Sequence, residues 1–595
     1  VRESSVPAIV TPAPDDNLTD LLDRAARDRP DDVLFSRRVG DGWQDVTSEQ
    51  FRAQVRRLAK GMVASGVRPG DRVAIMSKTR YEWTLADFAI WTAGAVTVPI
   101  YETSSPEQVS WILSDSGTVA VFVETAAHTT TVAHVRDTLP ALREVWGFDA
   151  GAVDELGAAG AAVDDAALED RRRSLVGASV ATIIYTSGTT GRPKGCELTH
   201  ANFGDLTANA VAKLADVVSV EGASTLLFLP LAHVFARFVQ VLCVASGARL
   251  GHSADMKNLI DDLGAFRPTF VLAVPRVFEK IYNSAEAKAE AGGKGKIFHA
   301  AAETAVAWSQ ALGGGRMPVT LTLRHALFDR LVYGRLRATL GGQVQYAVSG
   351  GAPLGTRLGH FFRGAGVTVL EGWGLTETTA PATVNTPDRI RIGSVGLPLP
   401  GVTVRVADDG ELLVRGVGVL RGYFRNPGAT AEALEDGWFR TGDLGEIDDD
   451  GYVRITGRKK EIIVTAGGKN VAPSILEDRL RAHALVSQCM VVGDQRPYVA
   501  ALVTLDPEML PTWLANSGKP PMDLAAAARD PDVRAEVQRA VDHANQAVST
   551  AESIRSFLVL DTDFTEAGGH LTPKLSLKRA VVLKEFAAQV DQLYS

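Results

Sequence analysis

The stretch Thr186-Ser187-Gly188-Thr189-Thr190-Gly191-Arg192-Pro193-Lys194-Gly195 sets glycines, hydroxyls and a lysine side by side directly after an apolar run. Glycine lets backbone N–H groups approach an anion closely, Ser and Thr hydroxyls add donors, and Lys194 adds charge. Together they meet the needs of a polyphosphate. No G-x-x-x-x-G-K-[ST] pattern fits over the run, so it is not a Walker A loop. A flexible turn is the bland alternative, and the length and hydroxyl density weigh against it. Two carboxylates further on suit the same ligand. Glu377, after Thr376, offers hard oxygen for Mg²⁺, and Thr376 can donate to a phosphate. Asp443, in Thr441-Gly442-Asp443, can accept from a pair of sugar hydroxyls, which Arg458 can also reach. Taken singly, Asp443 reads as a turn residue, Glu377 as a helix-start acid and His233 as a satisfied core histidine. Their joint order and spacing argue for one site.

In that order the motifs resemble those of the adenylate-forming superfamily, which includes acyl-CoA synthetases, luciferases and peptide-synthetase adenylation domains. The resemblance spans about residues 20 to 590. It implies that the 186–194 run is the phosphate loop, with Thr189 joining Glu377 at magnesium. Phe228-Leu229-Pro230-Leu231-Ala232-His233 is similar to the motif that places a ring beside the acyl carboxylate. Ser349-Gly350-Gly351-Ala352-Pro353 resembles the adenine-facing loop. Glu371-Gly372-Trp373-Gly374-Leu375-Thr376-Glu377-Thr378 resembles the motif that holds AMP and magnesium. Asp443 and Arg458 are implied at the ribose, and Gly457-Arg458-Lys459-Lys460-Glu461 resembles the hinge, with Lys460 as its pivot. A catalytic lysine is implied in the terminal segment. Aligning Leu571 with the family's leucine selects Lys578, although Leu577 stands where a glycine usually precedes it, and Lys574 is the alternative. Gly467 and Gly468 are implied beside the pantetheine arm in a second pose, where the absence of side chains suits a narrow passage; a simple β-turn is the plainer reading of the same residues.

The chemistry implied is one site running two reactions with ATP, Mg²⁺ and coenzyme A. A carboxylate is a poor electrophile, so its oxygen first attacks the α-phosphorus of ATP, and catalysis is mainly positioning and charge neutralisation. Pro99-Ile100-Tyr101-Glu102-Thr103, Gly195-Cys196-Glu197-Leu198-Thr199-His200, Val274-Pro275-Arg276-Val277-Phe278-Glu279-Lys280 and residues 457–473 are similar to the long-chain fatty acyl-CoA synthetases. No Asp occurs in 231–238 to pair an amino-acid ammonium, which is costly to bury unpaired. A medium-chain, aryl or carrier-loading ligase is the alternative enzyme, and a catalytically silent nucleotide- or lipid-binding regulator is the alternative from another class.

Strand and helix patterns that must carry these residues alternate along the first part of the chain. Helical spacing runs over 48–65 and 81–95, and short apolar strands over 72–76, 96–100, 181–185, 225–229, 270–274 and 344–348. A helix capped near Thr199 follows the phosphate run. Residues 151–170, rich in Ala, Gly and Asp, read as a surface connection. Residues 286–340 read as a helical excursion that either shapes an acyl tunnel or touches a membrane. Antiparallel strands follow residue 401, and a smaller unit with its own helices and strands follows residue 457. The expected fold is α/β: an N-terminal domain, 1–457, of helix-covered mixed sheets with a β-barrel-like part, and a small mobile α+β domain, 458–595.

The 595 residues exceed what one core supports, and 46% hydrophobic with 22% charged is an ordinary globular balance. The net charge of −8 argues against a nucleic-acid partner. Cys196, Cys243 and Cys489 form no CxxC pair, so a reducing cytoplasm fits better than a zinc site or disulfides. Val1 to Ser5 show no signal-peptide pattern, and the apolar stretch 88–100 is too short to span a bilayer, leaving peripheral membrane contact open. The sequence does not fix an oligomeric state.

Overall fold

The computed structural model describes residues 2–40, 42–186, 192–255, 257–314, 317–572 and 575–595. Its largest sheet has seven strands, in the order Gly422–Tyr423, Lys194–Thr199, Val180–Thr186, Val96–Ile100, Arg72–Met76, Ala120–Val123 and Glu144–Gly147. The strands from Val180–Thr186 to Glu144–Gly147 are parallel. Val96–Ile100 is buried at every position, as expected of a strand covered by helices on both faces. A five-stranded sheet begins with Phe270–Ala273, Tyr346–Ser349 and Thr368–Leu375 in parallel, then turns back through Ala380–Val384 and Leu397–Pro398. A four-stranded sheet and a six-stranded antiparallel sheet complete the larger unit. The latter uses Glu3–Val6, Val402–Val406, Glu411–Gly416, Trp438–Ile447, Leu434–Glu435 and Val453–Arg458.

Two local readings need correction. Residues 151–170 are not an irregular connection: helices Ala152–Ala159 and Asp165–Arg173 cover most of the segment and bury Leu156 and Leu168. The abundant alanine is a helix former rather than a loop signal here. Close approach fixes the packing, since a Cβ on Gly61 would lie 2.1 Å from the Leu156 carbonyl oxygen. Thr199 does cap a helix, His200–Lys213, accepting from the Asn202 N–H at 3.1 Å. However, the strand Lys194–Thr199 intervenes, antiparallel to Val180–Thr186 with Thr186 opposite Lys194. The 187–191 segment therefore joins two strands, and no helix N-terminus follows it directly.

Past the strand Val453–Arg458 comes a single tight turn, Lys459–Glu461, and then the smaller unit. Its sheet is Val486–Val492, Val499–Leu505 and Ile554–Val559, backed by helices Pro473–Arg481 and Pro531–Asn545 around a separate core that includes Leu476, Leu480, Val491, Val503 and Phe557. It docks on the larger unit through Arg276 to Asp506 at 3.0 Å, Lys280 to Glu508 at 2.8 Å, and a hydrogen bond from Thr103 to Glu566. The three cysteines are buried thiols. Among the described residues no helix is long and apolar enough to cross a membrane.

Candidate active site

One cavity of about 2990 Å³ runs between the two units. Its walls include Thr186, Lys194, His233, Gly350, Gly351, Ala352, the whole of 371–377, Asp443, Arg458, Lys460 and Lys578. These residues, scattered over nearly 400 positions of sequence, thus share one space.

The turn after Thr368–Leu375 carries Thr376 and Glu377 and is held under strain. Thr379 and Ala380 both have positive φ, 58° and 83°, a conformation that costs an L-residue free energy and persists only when its surroundings fix it. The Thr378 hydroxyl spans the turn, accepting from the Leu375 N–H at 2.8 Å and reaching the Ala380 carbonyl at 2.9 Å. Thr379 donates to the Gly418 carbonyl at 2.7 Å. Gly374 is required, since its Cβ would sit 1.7 Å from the Ala380 oxygen. The turn aims Glu377 at the Lys194–Thr199 strand, where the Tyr423 hydroxyl donates to Glu377 Oε1 at 3.0 Å. Burial and the Glu377 carboxylate push the Tyr423 phenol well above its ordinary pKa, so it stays a donor. Lys194 Nζ lies 5.3 Å from the Tyr423 ring centroid. Burial, with Glu377 nearby, also raises the Cys196 thiol, which is therefore inert.

The 350–352 loop and the 371–374 strand meet at backbone distance. A Cβ on Gly350 would touch the Phe235 ring at 3.2 Å, and one on Gly372 the Thr383 carbonyl at 3.0 Å; Gly351 has φ of 85°. Glu371 braces the pair, its Oε1 accepting from the Leu354 N–H at 3.0 Å. Burial raises its carboxyl while that hydrogen bond pulls the other way. Asp443, buried, is held on both oxygens: the Trp373 indole donates to Oδ2 at 2.8 Å and Arg458 pairs with Oδ1 at 2.8 Å. Asp443 and Arg458 are cross-strand partners in register. Thr441-Gly442-Asp443 is not a turn, as its residue types suggest, but part of the strand Trp438–Ile447; beneath it Glu411 accepts from the Gly442 N–H at 3.0 Å and from Lys459 at 3.1 Å, so one buried carboxylate ties that strand to the turn containing Lys460.

His233 caps the helix Val234–Ser246, its Nδ1 accepting from the Phe235 N–H at 3.3 Å. His233 lines the cavity, as do Phe235, Phe238, Val239 and Leu242 of this helix and Leu214 and Val218. Lys578 opens the helix Arg579–Glu585, its N–H bonded to the His570 carbonyl at 2.8 Å. The next residue anchors it, because Arg579 pairs with buried Glu477 at 2.6 Å and donates to the Val491 carbonyl. Gly467 and Gly468 are not brought to the cavity. They form the exposed tip between Ile463–Val464 and Asn470–Val471. Ser187, Gly188, Thr189, Thr190 and Gly191, and the alternative lysine Lys574, lie outside the described residues. Sequence reasoning missed Tyr423, Glu411 and Glu477, whose contacts join distant segments and leave no local pattern.

Residues 22–424 match the AMP-binding enzyme family, and residues 460–595 match the AMP-binding enzyme C-terminal domain. The chain belongs to the AMP-binding enzyme family. Within that family it is 52% identical to long-chain-fatty-acid–CoA ligase FadD15 of Mycobacterium bovis and 51% identical to the FadD15 of Mycobacterium tuberculosis, each match covering 100% of both chains. Among solved family structures, the anthranilate CoA ligase AuaEII in complex with anthranoyl-AMP superposes with a TM-score of 0.72 at 20% identity, over 96% of this chain and 98% of that one. The Mycobacterium tuberculosis fatty acyl CoA synthetase gives 0.61 at 22%, over 96% and 99%. These likenesses show the fold: a large α/β domain of several sheets with a small C-terminal domain.

Proposed function

We propose that this chain is a long-chain fatty acid–CoA ligase that forms acyl-AMP and pyrophosphate from a fatty acid and ATP, then acyl-CoA and AMP from acyl-AMP and coenzyme A. The observation that carries this reading is the continuity of the cavity. Its lining gathers Lys194, Thr376, Glu377, Asp443 and Lys578 and, in the same space, the apolar side chains of Leu214, Phe235, Phe238, Val239 and Leu242. An acid with a long chain fits that combination, since each buried CH₂ favours binding by roughly 0.8 kcal/mol.

In this scheme the adenine lies along Gly350, Gly351 and Ala352, which present little or no side chain to it, beside Glu371, Gly372, Trp373 and Gly374. Asp443 and Arg458 hold the ribose, with the indole of Trp373 fixing the carboxylate. Thr186, Lys194 and the 187–191 segment cradle the phosphates, and Thr376 donates to the α-phosphate. Magnesium fits a site of one carboxylate, hydroxyl and phosphate oxygens, because the ion takes few protein ligands and keeps waters; Glu377, oriented by Tyr423, and Thr189 would hold it. When bound, the ion neutralises charge across the phosphates. His233 orients the acyl carboxylate, and Lys578 neutralises charge as that carboxylate oxygen attacks the α-phosphorus and pyrophosphate leaves. For the second reaction the small domain beyond Lys460 turns about that residue and brings Gly467 and Gly468 to the adenylate. The coenzyme A thiol then attacks the acyl carbonyl and AMP departs. The docked arrangement, with Lys578 in the cavity and the glycine tip outside, suits the first reaction.

The test is AMP release measured with and without coenzyme A across fatty and aryl acids of graded length. The reading expects sustained, coenzyme A-dependent turnover that rises with chain length into the long-chain range. Turnover confined to aryl acids, or none at all, overturns it.

A further inference from the structure

The helix Val234–Ser246 has two different faces. Phe235, Phe238, Val239 and Leu242 line the cavity, whereas Arg237 does not and is 0% exposed. Its partner Asp87, on the helix Tyr81–Thr92, is equally excluded from water. The Arg237 guanidinium donates to both Asp87 oxygens, from Nε at 2.9 Å and from Nη2 at 2.5 Å. Thr97 and Gln240 donate to the same carboxylate at 2.7 and 3.0 Å, which fills its four acceptor positions. Arg237 Nη1 donates to the Thr182 hydroxyl at 2.5 Å, and that hydroxyl in turn donates to the Thr97 carbonyl at 2.7 Å. The ring centroids of Trp91, Trp83 and Phe203 lie 5.2, 5.6 and 5.8 Å from the guanidinium.

Taking two full charges out of water is costly, and well-packed apolar residues of similar volume often give equal or greater stability. What the pair supplies instead is geometry, because a bidentate guanidinium fixes distance and angle together. The elements it joins are the ones that adenylation must align. Arg237 is one helical turn from His233, its N–H bonded to the His233 carbonyl at 3.2 Å. Thr182, the register partner of Thr97, lies on the strand Val180–Thr186, which delivers Thr186 to the cavity. We infer that Arg237 and Asp87 are positioning residues: they lock the helix behind His233 against the strand that ends at Thr186, and so set the acyl carboxylate at attacking distance from the α-phosphorus. The inference rests on the ligase reading, which puts the carboxylate at His233 and the phosphates beside Thr186. Only the first half-reaction depends on this lock. Before adenylation the carboxylate and the phosphate are separate ligands that the protein alone aligns, and a misplacement of about 1 Å costs about 10²-fold in rate. In the acyl-adenylate a covalent bond joins them, so their alignment no longer depends on the helix.

Thr182→Val removes the hydroxyl that links Arg237 to the strand and keeps the branched shape, whereas Thr182→Ser keeps the hydroxyl. Asp87→Leu/Arg237→Met removes both charges together, so that neither is left buried alone. Each variant is compared with the parent in urea unfolding, in single-turnover pyrophosphate release from palmitate and ATP, and in thioester formation from supplied palmitoyl-adenylate and coenzyme A. Thr182→Val is expected to slow pyrophosphate release by about tenfold and the double variant by about 10²-fold. Half-saturation by ATP should stay within about twofold of the parent, thioester formation should be kept, and Thr182→Ser should match the parent throughout. The double variant should unfold at no lower urea concentration than the parent. Pyrophosphate release at the parent rate in Thr182→Val, or a loss of both half-reactions in step with a loss of stability, overturns the inference. The two Thr182 variants decide the matter even where the double variant does not fold. A parent that releases no pyrophosphate with any acid brings down the ligase reading itself and this inference with it, an outcome distinct from a variant that matches an active parent.

Discussion

Glu377 shows how a single carboxylate is prepared. A glutamate side chain has three free torsions, and holding it costs rotamer entropy. Here Tyr423 holds one oxygen at 3.0 Å, and the carboxylate lines the cavity. A hydrogen bond to an ionised acceptor is among the stronger contacts available. Tyr423→Phe removes only that donor, so the expected outcome is a magnesium half-saturation raised by about tenfold with kcat largely recovered at high magnesium. A fall in kcat at unchanged magnesium dependence would argue that Tyr423 serves the fold alone. Glu377 itself was legible in the sequence because Thr-Glu-Thr belongs to a contiguous motif. Tyr423 was not, because it lies 46 residues away and nothing local to 421–424 marks it.

At the scale of elements, the site depends on strand ends that stop in unusual conformations. The Thr368–Leu375 strand ends in a turn whose Thr379 and Ala380 hold positive φ, and the turn closes only because Gly374 has no side chain to meet Ala380. Gly374→Ala should therefore lower unfolding free energy by roughly 2 kcal/mol or more and abolish adenylation, since the Ala380 carbonyl must move and take Thr376 and Glu377 with it. Urea unfolding followed by a pyrophosphate-release assay checks both; a variant as stable and active as the parent removes the turn from the account. The elements were largely readable from apolar runs: 72–76 and 96–100 are strands and 48–64 a helix, because burial on both faces or on one stripe imposes those periods. The helices in 151–170 escaped because their contact with the Ser48–Ala64 helix runs through Gly157 and Gly160, which read locally as loop, against Gly61. The backbone strain at Thr379 and Ala380 has no signature in residue type at all.

For the whole molecule, the question is how one cavity serves two reactions. The smaller unit presents Lys578 to the cavity and is held there by Arg276–Asp506, Lys280–Glu508 and Thr103–Glu566, contacts that a rotation about Lys460 would break. The account expects Lys578→Ala to slow adenylation by about 10²–10³-fold while still converting supplied acyl-adenylate and coenzyme A to thioester. Gly467→Leu should do the reverse. The position is open, with the nearest atom to an added Cβ being Thr465 Oγ1 at 3.9 Å, so thermal stability should hardly change. Equal loss of both half-reactions in either variant, measured by single-turnover assays, would contradict the two-pose scheme.

The claim on which all of this depends is that the acyl carboxylate oxygen attacks the α-phosphorus of ATP. It is tested most directly with a fatty acid carrying heavy oxygen in its carboxylate, turned over with ATP and coenzyme A and followed by mass spectrometry of the products. The account predicts one heavy oxygen in AMP and none in pyrophosphate. Heavy oxygen in pyrophosphate or in inorganic phosphate, with AMP unlabelled, would contradict it.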